Sequence, residues 1–105
     1  SSEQQTPELM IAEPHNHPNP FHQRTTFVYE LNRYVDQVKI HIYTQSGRLI
    51  CRLDDVPTRQ GYNETVWDGR DQEGQILPNG IYFYTVSAED RNESFQVYSR
   101  LAILR

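Results

Sequence analysis

The sequence lacks the features of disulfide-stapled domains, membrane proteins and nucleic-acid-binding proteins. Cys51 is the single cysteine, which excludes an internal disulfide. No apolar run approaches the roughly 18 residues of a membrane-spanning helix, so no membrane span is predicted. The ten Lys and Arg residues are scattered singly, and the net charge is −4. Because phosphate binding needs clustered cations, nucleic acid is not an expected partner.

What remains is enough for one small domain with an aromatic core. The chain has 105 residues, of which 36% are hydrophobic, and these include seven Tyr, four Phe and one Trp. Aromatic side chains bury large areas and so offset the shortage of aliphatic residues. Cys51 lies in the apolar stretch Leu49–Leu53, where we expect it to pack in the core. No secretory leader is recognisable, so the targeting signal of an exported parent protein is expected outside these residues.

Alternation of apolar and polar residues predicts β-strands along most of the chain, and no long segment has a helical period. In the clearest strand, Val38, Ile40 and Ile42 point one way and the intervening residues point the other. The predicted strands are Glu8–Ala12, Thr25–Leu31, Gln37–Thr44, Arg48–Leu53, Gly61–Trp67, Ile81–Ala88 and Phe95–Leu104.

Seven short strands separated by turn residues predict an all-β chain that forms a single antiparallel sandwich. Its architecture is expected to be immunoglobulin-like or fibronectin type III-like. Residues 14–105 are predicted to form this domain. Residues 1–13 are predicted to be an N-terminal linker, within which Glu8–Ala12 is the candidate first strand.

Three histidines, His15, His17 and His22, lie close together in the sequence. A zinc site needs four converging ligands, whereas the prolines between these histidines keep the backbone extended. We therefore interpret them as solvent-exposed histidines of a loop, with metal binding as the alternative. His41 is interpreted as an outward or edge residue of a strand. No metal and no cofactor is predicted.

The segment Trp67–Gly74 has acidic residues at alternate positions before a glycine, as at the start of a calcium loop. The twelfth position counted from Asp68 is Asn79, where an EF-hand loop has Glu. A tight turn, in which Asp68 and Asp71 accept hydrogen bonds from nearby amides, explains the same residues. Calcium binding is the alternative.

No local signature of catalysis is present. The Gly-x-Ser-x-Gly turn of hydrolases is absent, and no other segment combines a nucleophile, a base and an orienting group. A sandwich of this size also has little material for a deep pocket. The chain is therefore predicted not to be an enzyme.

Tyr82 and Tyr84 share one face of a predicted strand, and Phe83 lies on the other. Two tyrosine rings on one face either pack in the core or form an exposed platform that stacks on sugars. Packing is the favoured interpretation, and carbohydrate binding is kept as a hypothesis.

Three blocks of sequence carry a resemblance to a known family. They are Pro18–Phe21 with Thr25–Leu31, then Val38–Tyr43 with Ser46–Ile50, then Gly61, Trp67–Asp71, Gly74 and Asn79–Tyr84. In this order and spacing they resemble the immunoglobulin-like domain of the flagellar hook-capping protein. They resemble still more the C-terminal sorting domains of the Bacteroidetes type IX secretion system, as found in gingipain-like peptidases and their sortase.

The resemblance implies an exported parent protein that this domain directs through type IX secretion to the cell surface. The implied partners are the outer-membrane secretion machinery and the sortase. The residues implied in sorting or partner recognition are Gly80, Tyr82, Tyr84, Arg100, Leu101 and Arg105. The alternative is a structural accessory module that supports a neighbouring domain of the parent protein.

The resemblance also marks residues with structural roles. They are Pro18, Asn19, Pro20, Phe21, Gly47, Arg48, Trp67, Asp68, Gly69 and Asp71. Asn19 between two prolines is expected to make a rigid corner that aims Phe21 at the edge of the sandwich. Gly47 and Gly80 are expected to relieve turns. Trp67 is expected to fill the end of the core.

Overall fold

The computed structural model describes residues 8–91 and 93–105, which form two antiparallel β-sheets packed face to face. The strands are β1 (His15–His17), β2 (Thr25–Leu31), β3 (Gln37–Tyr43), β4 (Leu49–Leu53), β5 (Gly61–Trp67), β6 (Gly80–Asp90) and β7 (Glu93–Ile103). One sheet has the order β1-β2-β5 and the other the order β4-β3-β6-β7. The predicted all-β sandwich of seven strands is confirmed. The described residues contain no helix with the length and apolarity needed to cross a membrane.

The core lies between the two sheets and is rich in aromatic rings, as predicted. The inward residues of β3, Val38, Ile40 and Ile42, are completely buried. Across from them, the ring centroid of Phe27 on β2 lies 4.7 Å from that of Tyr84 on β6. Offset and tilted ring pairs at this distance stabilise a core beyond the area they bury. The alternation of the sequence thus sets the inward face of β3.

The first strand is not where the sequence predicted it. Glu8–Ala12 forms no regular strand, and Ile11 makes only an isolated bridge to Leu31. Pro14 has no N–H to donate to a ladder, so regular pairing begins only at β1. Leu9 and Ile11 are nevertheless buried in the core, so this part of the predicted linker packs with the sandwich. Residues 1–7 of that linker lie outside the described residues, and the domain boundary stays a prediction.

The β6–β7 hairpin is longer than predicted. Its register runs without a break from Gly80 opposite Ile103 to Asp90 opposite Glu93. Asp90 and Glu93, which the sequence assigned to the turn, are therefore paired strand residues. Arg33 forms ion pairs with both carboxylates, at 3.2 Å to Asp90, and so fastens the β2–β3 connection to the hairpin. Asn92 at the tip lies outside the described residues.

Two buried polar side chains hold the loop between β4 and β5. The hydroxyl of Tyr29 donates to the carbonyl oxygen of Pro57 at 2.6 Å. Nδ2 of Asn63 donates to the carbonyl oxygen of Arg59 at 2.9 Å. Asn63 is completely buried, so these bonds satisfy an amide that would otherwise destabilise the core.

Candidate recognition surface beside the last strand

The segment after β1 is fastened along the final residues of β7. The amide of Phe21 donates to the carbonyl oxygen of Ala102 at 3.1 Å, and the amide of Leu104 donates to that of Phe21 at 2.9 Å. Oδ1 of Asn19 accepts a further hydrogen bond from the amide of Ala102 at 2.9 Å. Phe21 is 1% exposed. The predicted corner that aims Phe21 into the edge of the sandwich is therefore present, and it also holds the last strand.

Trp67 closes the core beside this segment. Its ring stacks on Phe27 with a centroid distance of 5.8 Å and meets Phe21 edge-on at 5.9 Å. Its Nε1 donates to the carbonyl oxygen of Arg70 at 3.1 Å, which satisfies the buried indole N–H. The prediction that Trp67 fills the end of the core is confirmed.

Asp68 and Asp71 organise the turn that follows Trp67. Oδ1 of Asp68 accepts from the amide of Arg70 at 3.3 Å. Oδ1 of Asp71 accepts from the amides of Glu73 and Gln75, both at 2.9 Å. These are the local bonds that the turn interpretation predicted. Across residues 8–91 and 93–105, no three His, Cys, Asp or Glu side chains are grouped as a metal site requires.

The side chain of Arg105 joins two connections at this end of the sandwich, β1–β2 and β5–β6. Its guanidinium group donates to the carbonyl oxygens of Leu77 at 3.2 Å, His22 at 2.5 Å and Gly69 at 3.3 Å. Its backbone amide donates to Oδ1 of Asn79 at 2.8 Å. Hydrogen bonds from a charged donor are stronger than neutral ones. We call the group Phe21, Trp67, Gly69, Leu77 and Arg105 the Arg105 corner.

Beside the Arg105 corner lies an open groove of about 730 Å³. Val66 and Ile76, which are 60% and 55% exposed, give it an apolar floor. Arg24 and Arg70 line its walls together with Asp68, whose Oδ2 lies 3.6 Å from Nε of Arg70. The lining of the groove thus combines apolar and charged side chains.

The turn residues and most of the strands described so far fall within the region that matches one protein family. Residues 20–92 match the FlgD Ig-like domain family, which is more than half of the chain. The chain belongs to the FlgD Ig-like domain family.

Among curated relatives, the chain is similar to the basal-body rod modification protein FlgD of Salmonella typhimurium and of Salmonella typhi. The chain is 32% identical to each over 66 residues, which is 63% of this chain. It spans only 28% of the length of each relative.

Solved structures share the fold at lower sequence identity. Dimeric latent PorU from Porphyromonas gingivalis superposes with a TM-score of 0.81 at 22% identity, over 94% of this chain and 10% of PorU. FlgD from P. aeruginosa gives 0.66 at 20% identity, over 75% of this chain and 61% of that FlgD. PorZ, a surface component of the type-IX secretion system of Porphyromonas gingivalis, gives 0.55 at 20% identity, over 88% of this chain and 11% of PorZ.

The family match ends before β7, so three residues predicted for recognition, Arg100, Leu101 and Arg105, lie beyond the FlgD Ig-like region. Arg100 is exposed on the outer face of β7, opposite Phe83. Leu101 is 1% exposed and belongs to the core. Gly80 opens β6 opposite Ile103 and is a strand residue, whereas the sequence predicted a turn. Arg100 therefore offers an accessible side chain for recognition.

Tyr82 and Tyr84 are buried in this member of the FlgD Ig-like family, so the hypothesis of an exposed sugar platform is wrong. Tyr82 donates from its hydroxyl to the carbonyl oxygen of Pro78 at 2.7 Å. Tyr84 has no exposed surface, and burial raises its pKa to about 12. Both rings pack inward, which is the interpretation that the sequence favoured. The half-buried ring of Phe83 lies on the outer face.

Gly47 and Arg48 form the β3–β4 turn and do not take part in the contacts of Arg105. Gly47 has a φ of +96°, so the predicted positive φ is confirmed. The amide of Gly47 donates to the carbonyl oxygen of Thr44, and the amide of Arg48 donates to Oγ1 of Thr44 at 3.1 Å. Thr44 is thereby drawn into the turn, which is why β3 ends one residue earlier than predicted and β4 begins one later.

The histidines near the N-terminus are exposed, as predicted, but two of them lie on a strand. His15 and His17 project from the same face of β1 and their ring centroids are 5.8 Å apart. His22 donates from Nδ1 to the carbonyl oxygen of Leu104 at 2.8 Å, which adds another link to the end of β7. His41 lies half-buried on the outer face of β3, as predicted.

Sequence reasoning missed Gln72, which covers the free edge of β4. The amide of Gln72 donates to the carbonyl oxygen of Ile50 at 3.0 Å, and the amide of Arg52 donates to Oε1 of Gln72 at 2.7 Å. No local pattern marks this residue, because its partners are about 20 positions away. The inward position of Asn63 on β5 was a readable signal, since a polar residue there must bond a loop.

Proposed function

We propose that this domain is a non-catalytic sorting module that directs a larger protein through type IX secretion to the cell surface. The observation that carries the proposal is the likeness to PorU, with a TM-score of 0.81 over 94% of the chain. The FlgD family match covers residues 20–92 and therefore leaves out β1 and β7. The likeness to PorZ, a type-IX surface component, supports the same proposal.

The Arg105 corner supports a role in recognition by another protein. A partner that reads a folded surface needs the recognised residues in fixed positions. Arg105, Asn19 and His22 together bond the end of the chain at β7 to the β1–β2 and β5–β6 connections. In this proposal the partners are the outer-membrane machinery and the sortase, and the location is the outer membrane surface or the exterior.

The test is delivery of a reporter. The 105 residues are fused to the C-terminus of an exported reporter enzyme in a bacterium with a type IX system, and the surface fraction is measured. We expect delivery with the intact domain and loss after deletion of Leu101–Arg105. Since this deletion also removes buried Leu101 and Ile103, Arg100→Glu is tested beside it, because its exposed side chain is not needed for folding.

Arg52→Glu is the matched control, because Arg52 is equally exposed and lies on the opposite edge of the same sheet. We expect Arg100→Glu to reduce delivery and Arg52→Glu to leave it unchanged. Full delivery of the reporter that lacks Leu101–Arg105 would refute the sorting role.

The second candidate is a structural accessory module that supports a neighbouring domain. The observation that favours it is membership of the FlgD Ig-like family, whose curated relatives are basal-body rod modification proteins. Here, deleting the domain would leave export intact and lower the resistance of the parent protein to proteolysis. The two candidates therefore predict opposite results for export.

A further inference from the structure

We propose that the open edge of β7, from Ser94 to Arg100, binds an extended segment of a partner protein as an added β-strand. The identity of the partner rests on the proposed function, whereas the mode of binding is inferred from the strand edge itself. The fitting segment alternates apolar and polar side chains and carries an acidic residue beside Arg100. Strand addition at an exposed edge gives affinity through backbone hydrogen bonds and selectivity through alternate side chains.

The four-stranded sheet has two edges, and the molecule closes one of them. At β4, Gln72 bonds both the carbonyl oxygen of Ile50 and the amide of Arg52. An edge whose backbone groups are already bonded offers little to an incoming strand. The β4 edge is therefore protected.

The β7 edge is closed only at its end. Ala102 points its amide and carbonyl away from β6, toward Asn19 and Phe21. Alternate residues of an antiparallel strand present both groups on the same side, and the register with β6 is unbroken. The same outward groups are therefore presented by Ser94, Gln96, Tyr98 and Arg100. In the described part of the chain, none of these four has a backbone bond on the outward side.

The side chains along this edge define the partner. Phe95 and Val97 point inward but stay partly exposed at the rim of the core. Apolar residues of an added strand would lie beside them and complete their burial. On the outer face Tyr98 is 75% exposed, and Arg100 takes part in none of the ion pairs among the described residues. An acidic side chain of the partner fits next to Arg100.

The chain itself shows that this edge accepts an extended segment. Phe21 pairs in parallel with Ile103 on the outward side of β7. A partner strand between Ser94 and Arg100 would continue along the edge on which that segment already lies.

The edge of β5 is the natural comparison. The carbonyl oxygen of Glu30 accepts a hydrogen bond on the side of β2 that faces β1. Leu31 and every second residue before it therefore bond to β5. In the β2–β5 register, this leaves the backbone amide of Glu64 pointing away from β2. The inward neighbours of Glu64, Asn63 and Thr65, are polar and leave no partly exposed apolar rim. Its carboxylate also repels an acidic segment. We therefore expect no binding at β5.

The experiment is a titration of the full 105-residue chain, ¹⁵N-labelled, with a synthetic nine-residue peptide that alternates Val with Thr and carries two Glu. A second peptide with Lys in place of both Glu is the charge control. We expect amide shifts confined to residues 94–100 and slower hydrogen exchange of the outward amides there. The Glu peptide should bind roughly tenfold more tightly than the Lys peptide, and Arg100→Glu should reverse that order.

The decisive variant is Gln96→Pro, which removes an outward N–H while the ladder to β6 keeps its bonds. We expect it to weaken binding of the Glu peptide by roughly tenfold, whereas Glu64→Pro on the β5 edge has no such effect. Shifts at β5, no shifts at millimolar peptide, or equal binding by Gln96→Pro would each overturn the inference. Because the titration involves no export, its failure is distinguishable from failure of the reporter test.

Discussion

Nη2 of Arg105 lies 3.3 Å from the carbonyl oxygen of Gly69, and a Cβ on Gly69 would stand only 3.0 Å from the same nitrogen. That Cβ would also lie 3.2 Å from Cε2 of Phe21. Gly69 has a φ of +73°, which disfavours any side chain. The glycine of the Trp-Asp-Gly-Arg-Asp segment is thus required by both its conformation and its neighbours.

Gly69→Ala is expected to lower the free energy of unfolding by about 2–4 kcal/mol, from backbone strain together with displacement of Phe21 and Arg105. The control is Gly74→Ala, since Gly74 also has a positive φ, +85°, but open space around it. That variant should lose only the backbone contribution, about 1–2 kcal/mol. Urea denaturation measures both. Equal losses would show that the close approach to Arg105 and Phe21 does not matter.

Arg105→Ala should lower the free energy of unfolding by about 2 kcal/mol, because it removes guanidinium hydrogen bonds to the carbonyls of Leu77, His22 and Gly69. Arg100→Ala is the control, since this exposed side chain should contribute within about 0.5 kcal/mol. Chemical denaturation of the two variants beside the parent chain gives the comparison. A loss no larger for Arg105 than for Arg100 would contradict the proposed structural role of the corner.

Stability is expected to fall at alkaline pH because three tyrosines, Tyr29, Tyr82 and Tyr84, are buried. Burial raises the pKa of Tyr29 and of Tyr84 to about 12, from an ordinary value of 10.0. A raised pKa favours the protonated folded state, so this contribution is complete below pH 10 and is lost as pH rises through 12. Urea midpoints measured from pH 8 to 12 should stay level and then decline. Tyr29→Phe should decline less steeply, and an unchanged slope in that variant would contradict the assignment.

Gln72→Ala should expose the edge of β4. We expect the amide of Arg52, which donates to Oε1 of Gln72, to exchange with solvent faster, and the unfolding free energy to fall by about 1 kcal/mol. Glu73→Ala is the control, because the neighbouring Glu73 is exposed. Hydrogen exchange followed by NMR distinguishes the two. The same rate at Arg52 in both variants would rule out the edge-capping role.

The sequence predicted the inward face of β3, because polar and apolar residues alternate cleanly there. In β6 alternation paired Tyr82 with Tyr84 but could not decide which face is inward, since Phe83 on the other face is also aromatic. At the N-terminus Leu9 and Ile11 are buried in the core, although the sequence predicted a linker there. Burial did not imply regular strand pairing, because pairing also depends on the position of β2 and on Pro14.

The candidate surface was predictable only in part. Asp68 and Asp71 bond neighbours two to four residues away, and such local bonds can be read from sequence. The contacts of Arg105 and of Asn19 join residues up to 83 positions apart, so they follow from the packing of the two sheets. The contacts of Gln72 likewise join residues that are distant in the sequence.

The direction of β7 has a mechanical consequence. Glu93, at the start of this strand, lies beside the backbone of Leu9, whereas Arg105 lies at the other end of the hairpin. Tension applied between these two ends would slide β7 along β6 and the segment from Leu9 along β2. Ladder hydrogen bonds lie perpendicular to the strands, so such tension would load them together in shear. Under such tension, the domain should resist unfolding and transmit force between its two ends.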